Sequence, residues 1–424
     1  MFAGAFMMGA KDRLLPPSVP FRFFAAAILY HVAGWAVLLW AAADIPGHQG
    51  GLGPVVAGLH LITLGVLAMT AMGAAYQMLP VATRRQLGPA WACVLSWWLF
   101  VPGVAVLSLG LAGGQEWALQ GGAALTMAGL LIFAILVGRN LLQVSDLPAV
   151  SWALWIALAA LLGLMALALA LVLDVSLGFL SDRPAVIATH AVIAGYGFMG
   201  MLVFGFSSVL VPMFVLSKAV PDAEGKRLAA VSSAALLIAG LGCWNGGGWG
   251  AAAGVVLGLA AVALYGLAQR RVLAGRMRKR LEPFFRLLKA GWVMLPLSLL
   301  AALALALGGP IDPLAPLWGL LMVFGWLLSF ATGILQRIMP FLASMHSGAN
   351  GGKPVLLSRL TAQPVLTVHA VAHGAAVLLL AVAIVFDLPL LARLGALSGL
   401  LGALSFLAFA ILMVGRYRAH DRSS

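Results

Sequence analysis

Several of the eight histidines fall inside long apolar segments, where an imidazole is out of place unless it holds something. His60 and His190 stand 130 residues apart, and each opens a His-x4-Gly pattern that ends on Gly65 or Gly195. His369 and His373 form a His-x3-His pair, a spacing that stacks two rings one turn apart on one helix face. His31 lies within the first apolar segment. Neutral imidazole suits the iron of a haem or a copper ion, so these five residues are the candidate ligands. The plainer use of each is a hydrogen bond to a backbone carbonyl or a serine between helices. His48 and His420 fall in a loop and the C-terminal tail and read as solvated groups, and His346 reads as a helix-end cap.

The elements that must position these rings are membrane helices. The chain has 424 residues, is 63% hydrophobic and 9% charged, and has a mean hydropathy of +1.07. A soluble domain with that balance could not cover its surface with polar groups. About 20 apolar residues are needed to cross the hydrocarbon layer. Twelve stretches qualify, near 20–43, 54–82, 89–112, 118–138, 150–173, 186–216, 228–246, 248–268, 287–308, 314–343, 364–386 and 391–415. The predicted fold class is therefore all-α and integral to the membrane, as one transmembrane domain over residues 1–424. The first residues lack a signal peptide's core and cleavage site and are expected to form a lead-in on the cytoplasmic side.

The twelve stretches repeat. Gly65, Gly195 and Gly325 recur every 130 residues, and each is followed by a Gly-x6-Pro box: Gly73 to Pro80, Gly205 to Pro212 and Gly333 to Pro340. The boxes lie in stretches two, six and ten, which predicts three four-helix units around a pseudo-threefold axis. The third unit has Leu320 where the others have histidine. The glycines would let backbones or a flat ligand approach closely, and the prolines would end or kink their helices. Tyr76, Gln77, Ser207, Ser208, Gln336 and Arg337 share the stretch before the prolines and would line the inner mouths or satisfy helix ends. Counted from the outer boundary, His60 and His190 lie roughly 7 Å deep, and His373 roughly 14 Å.

The net charge of +13 does not signal nucleic acid. With twelve spans and both termini inside, all of the 25 Lys and Arg except Arg183 and Arg393 fall on the cytoplasmic side. The dense block from Arg270 to Lys289 reads as a topology anchor that meets anionic lipid. The 12 Asp and Glu all fall in loops or at helix ends, which argues against a proton- or sodium-coupled transporter and a proton-pumping oxidase. Cys93 and Cys243 fall within predicted helices, where they pack as small apolar residues. No Cys-x-x-Cys-His is present to attach a c-type haem. Trp97, Trp98, Trp117, Trp152 and Trp155 lie near helix ends, as interface tryptophans do.

Three four-helix units, with a second helix that opens on histidine, resemble the haem-copper oxidase subunit I superfamily. The segment from His60 to Val81 is similar to that family's low-spin-haem helix, and His190 lies on the sixth helix, which there carries a copper ligand. The departures are equally clear. The seventh stretch has no adjacent pair of histidines, the sixth lacks the proline-glutamate-valine-tyrosine that follows the family's histidine, and the tenth has no His-x-His. An oxygen or nitric oxide reductase centre is therefore not expected. The remaining likeness is to the degenerate branch, including NnrS-type membrane proteins.

The resemblance implies haem b on His60, His190, His369 and His373. It implies copper as a further metal, held by these residues and His31, with His31, His373 and His60 bordering one pore. It also implies electron transfer or nitric oxide binding, in a bacterial inner membrane, with a redox partner protein. The alternatives from other classes are a cofactor-free permease and a haem or copper assembly factor.

Overall fold

In a computed structural model, the structure describes residues 14–144, 149–347 and 354–421. The expected N-terminal lead-in, Asp12 and Asp146 lie outside the described residues. Twelve helices are long and apolar enough to cross a membrane, and no strand occurs among the described residues. They are α1 (Ser18–Trp40), α2 (Pro54–Thr83), α3 (Ala90–Gly113), α4 (Glu116–Leu142), α5 (Ala149–Leu177), α6 (Arg183–Val215), α7 (Asp222–Trp244), α8 (Gly248–Ala274), α9 (Phe285–Ala306), α10 (Ile311–Ser347), α11 (Gln363–Phe386) and α12 (Pro389–His420). Each matches a predicted stretch, and most run a few residues further. The extensions carry polar groups past the hydrocarbon layer, where hydropathy no longer marks a helix. We call the side where α1 begins the near side and the opposite one the far side.

The helices close into a ring of three like units. In each unit the first helix packs on the second, and the last two form a tight antiparallel hairpin: α3 with α4, α7 with α8, α11 with α12. Each hairpin hands on to the next unit, through α4 on α5, α8 on α9 and α12 on α1. Lipid offers no hydrophobic drive between helices, so close backbone packing must hold such hairpins. Glycine supplies it. A Cβ on Gly122 of α4 would lie 2.1 Å from the Leu107 nitrogen of α3, and one on Gly242 of α7 would lie 2.2 Å from the Ala251 nitrogen of α8.

The second helix of every unit, α2, α6 or α10, is the most buried of its set. Each contains one π-helical stretch, at Leu61–Ala68, Ile193–Met199 and Leu320–Leu328. These wide turns coincide with the 130-residue repeat, and each contains its glycine: Gly65, Gly195 or Gly325. The π stretch of α10 packs against those of α2 and α6, so the three meet near the axis. The glycines were expected to admit a backbone or a flat ligand, but neighbouring side chains fill the notches. Tyr30 covers Gly65, Met322 covers Gly195 and Met294 covers Gly325. The prolines do not end their helices. Pro80, Pro212 and Pro340 are interior, and α2 and α6 end three residues later at Thr83 and Val215, each followed by a left-handed cap, Arg84 or Leu216.

Candidate functional site

His60 is the last α-helical residue before the π stretch of α2, and His190 lies just ahead of the π stretch of α6. A π turn adds one residue to a helical turn and so resets which way the preceding side chains face. Both histidines line one cavity of ≈ 290 Å³ toward the far side, walled by α2 to α6 and roofed by α10 through Met322, Val323 and Leu327. The His60 Nδ1 donates to the Val56 carbonyl at 2.9 Å, which fixes the tautomer and leaves Nε2 with its lone pair. The Nδ1 of His190 is buried with no hydrogen-bond partner. The remaining lining is mostly apolar, with Leu64, Leu67, Leu130 and Phe198 prominent and Thr63 and Thr126 the polar residues at membrane depth.

His48 lines this cavity as well. It was expected to be solvated, but the glycine-rich loop after α1 folds back over the far-side mouth and leaves it half-buried. Burial lowers its pKa, against an opposing pull from Asp44. Arg183 sits on the same rim, paired with Asp174 at 2.5 Å.

The remaining three candidates gather elsewhere. His31 of α1 and His369 of α11 have ring centroids 5.9 Å apart, and His369 and His373 stack at 6.0 Å with 19° between their planes. All three are buried. Their nitrogens are largely engaged within the protein. Trp35 Nε1 donates to His31 Nε2 at 3.2 Å, His369 Nδ1 donates to the Gly402 carbonyl at 3.0 Å, and His373 Nε2 bonds Ser329 Oγ at 2.8 Å. Only His369 Nε2 among these is buried without a partner. Phe406 packs 4.9 Å from His369, and the trio lines neither that cavity nor the larger one of the second unit. His60 thus joins His190 rather than His31 and His373. Among the described residues no group of three or more His, Cys, Asp or Glu is arranged to hold a metal ion.

The second unit has its own space. A cavity of ≈ 640 Å³ lies between α6, α7, α8, α9 and α10, and sequence reasoning gave no sign of it. Its walls are cut back by small residues, such as Ala235, Ala239, Gly254, Gly258 and Ala261. In the third unit the matching space is filled by the histidine trio with Trp35 and Phe406.

Near-side polar groups of the boxes mostly serve the fold. Tyr76 bonds Ser96 at 2.8 Å and Ser207 bonds Tyr265 at 2.9 Å. Arg337 pairs with Glu282 at 2.9 Å and lies over the Phe214 ring. Gln77 is fully buried with neither amide atom partnered. The expected helix-end cap at His346 does not form through its Nε2, which is buried without a partner. Cys93 is buried, and Cys243 borders the second cavity. Trp117 is exposed at the start of α4, as an interface residue would be, whereas Trp98 is exposed more than two turns into α3 rather than at its end. No family model matches the chain, and no curated protein matches it.

Proposed function

We propose that the chain is a b-type haem protein of a bacterial inner membrane, with the iron held between His60 and His190 in the first cavity. The observation that carries the reading is the imidazole pair itself. Two histidines from equivalent helices line one apolar intramembrane cavity, one with its distal nitrogen anchored and the other with a buried nitrogen left over. A carbonyl behind a ligating imidazole is the usual device for fixing its tautomer and raising its basicity. Such a group would supply one-electron transfer with both imidazoles bound, and nitric oxide capture only if one of them left the iron. The chain's own part is to orient the two rings, and to keep water out with Leu64, Leu67 and Phe198. Both termini are cytoplasmic in this reading, the basic near-side block meets anionic lipid, and a redox partner protein exchanges electrons. His31, His369 and His373 serve the fold, and a copper ion has less support there than a packed, hydrogen-bonded cluster.

The test is an absorption spectrum of detergent-purified protein, oxidised and dithionite-reduced, with a pyridine haemochrome count. A Soret band and a single reduced α band of b type are expected. His60→Ala and His190→Ala should each abolish or shift them, while His31→Ala should leave them unchanged. A colourless, monodisperse protein overturns the reading. It would favour a cofactor-free permease, for which the ≈ 640 Å³ second cavity is the specific support.

A further inference from the structure

Two cavities of the second unit face opposite sides of the membrane. The ≈ 640 Å³ one runs from the far-side rim, where Gly50, Asp182 and Gly246 are exposed, down to Leu295 and Phe204. A smaller one of ≈ 120 Å³ lies between α5, α6, α7 and α8 at the near side, where Arg227 and Arg271 are exposed. Their linings meet. On α7 the smaller one ends at Ala229 and the larger begins three residues on at Ser232. On α8 the larger ends at Val262 and the smaller begins at Leu264. Each gap is under one helical turn. On α6 both linings include Met201 and Phe204. Together they follow α7 from Glu224 to Cys243, roughly 28 Å of helix and nearly the whole hydrocarbon layer.

We propose that the second unit holds a gated path for small uncharged solutes, closed by a septum at Phe204 and Met201. Phe204 stacks on Tyr265 at 4.4 Å and 22°, and its ring lies 6.4 Å from that of Trp326. Tyr265 is the fixed side of this contact. Its hydroxyl bonds Ser207 at 2.9 Å and accepts from Trp292 Nε1 at 3.0 Å. Phe204 has no polar side-chain atom to tie it down, so it is the part able to swing. The π stretch of α6 ends at Met199, directly ahead of the septum, and such wide turns recur at functional sites. The walls decide the class of solute. Asp182 and Arg183, at the rim, are the only charged residues among those that line the larger cavity. Below them an ion would shed its water against apolar walls, a cost that an uncharged solute escapes. The path involves neither His60 nor His190, so it stands apart from the haem reading.

The experiment is stopped-flow light scattering of proteoliposomes under an inward gradient of glycerol, which is uncharged and crosses bare lipid slowly. Wild-type vesicles should take up glycerol faster than protein-free ones. Phe204→Ala removes the ring of the septum and should speed uptake several-fold, while sodium entry, read by a trapped dye, stays at the protein-free level. In that background Ala235→Phe above the septum and Ser208→Phe below it should each return uptake to the protein-free rate. Thermal melts confirm that the variants fold, and the milder Ala239→Leu replaces Ala235→Phe if that variant does not. Wild-type uptake at the protein-free rate overturns the proposal. So does a Phe204→Ala rate no faster than wild type, uptake that either blocking variant leaves unchanged, or sodium that enters with the glycerol.

Discussion

Gln77 and Glu282 represent opposite uses of a polar side chain in an apolar bundle. Gln77 is fully buried on α2 with both amide atoms unpartnered, a debt of about 1–3 kcal/mol. Gln77→Leu, which keeps the volume and removes the polar atoms, should therefore raise the melting temperature in detergent. A fall would show that the amide holds a water or ligand. Glu282 does the reverse, compensating Arg337 at 2.9 Å where the guanidinium is mostly buried and meets Phe214. Glu282→Gln should lower stability by about 1–2 kcal/mol, less than for a fully enclosed pair because Glu282 is partly exposed. Residue types were readable here, but partners were not. His60 and His190 announced themselves through a shared spacing, whereas His48 sat in a glycine-rich loop with every mark of a solvated residue. Only the path of that loop over the far-side mouth makes it part of the site.

Helices were the most legible level, because a hydropathy run is set by the bilayer and not by neighbours. All twelve appear where they were expected. The π turns were not legible, since one extra residue in a turn changes neither composition nor hydropathy. Their trace was the repeating glycine, whose spacing by itself suggests a close approach of a backbone or a flat ligand. A π turn fits one extra residue into a full rotation, so removing one residue from it should convert it to α-helix while the flanking segments keep their facing. Deletion of Thr63 should therefore keep α2 in the membrane with His60 still turned to the first cavity. A cysteine at position 60 would report this as unchanged labelling by a thiol reagent, compared with the same cysteine in the undeleted chain, and altered labelling would show that the turn is not an inserted residue. Hairpins offer a simpler check. Gly122→Leu should lose folded yield, with overpacking of at least about 1–3 kcal/mol against the Leu107 backbone. Gly121→Ala has open space around it and should be silent.

At the scale of the molecule, three copies of one frame have been finished in three ways. The first compartment holds two histidines, the second is hollowed by alanine and glycine, and the third is plugged by Trp35, Phe406 and the histidine trio. Which compartment stays open could not be read from the chain, because a void depends on what five helices jointly fail to fill. The plug predicts its own removal. Trp35→Ala should open the third compartment, cost about 3–5 kcal/mol, and leave His31 without its tryptophan donor. A melt, with xenon uptake as the sign of a new void, would check both. The ring has a further consequence. Since α12 meets α1 as α4 meets α5 and α8 meets α9, the bundle has three interchangeable seams rather than a head and a tail. Each unit crosses the membrane an even number of times and returns to the side it left. A rearranged gene that joins α12 to α1 and starts at Phe285, beyond the end of α8 at Ala274, should insert with every helix in its original direction. It should rebuild the same bundle from a different starting point.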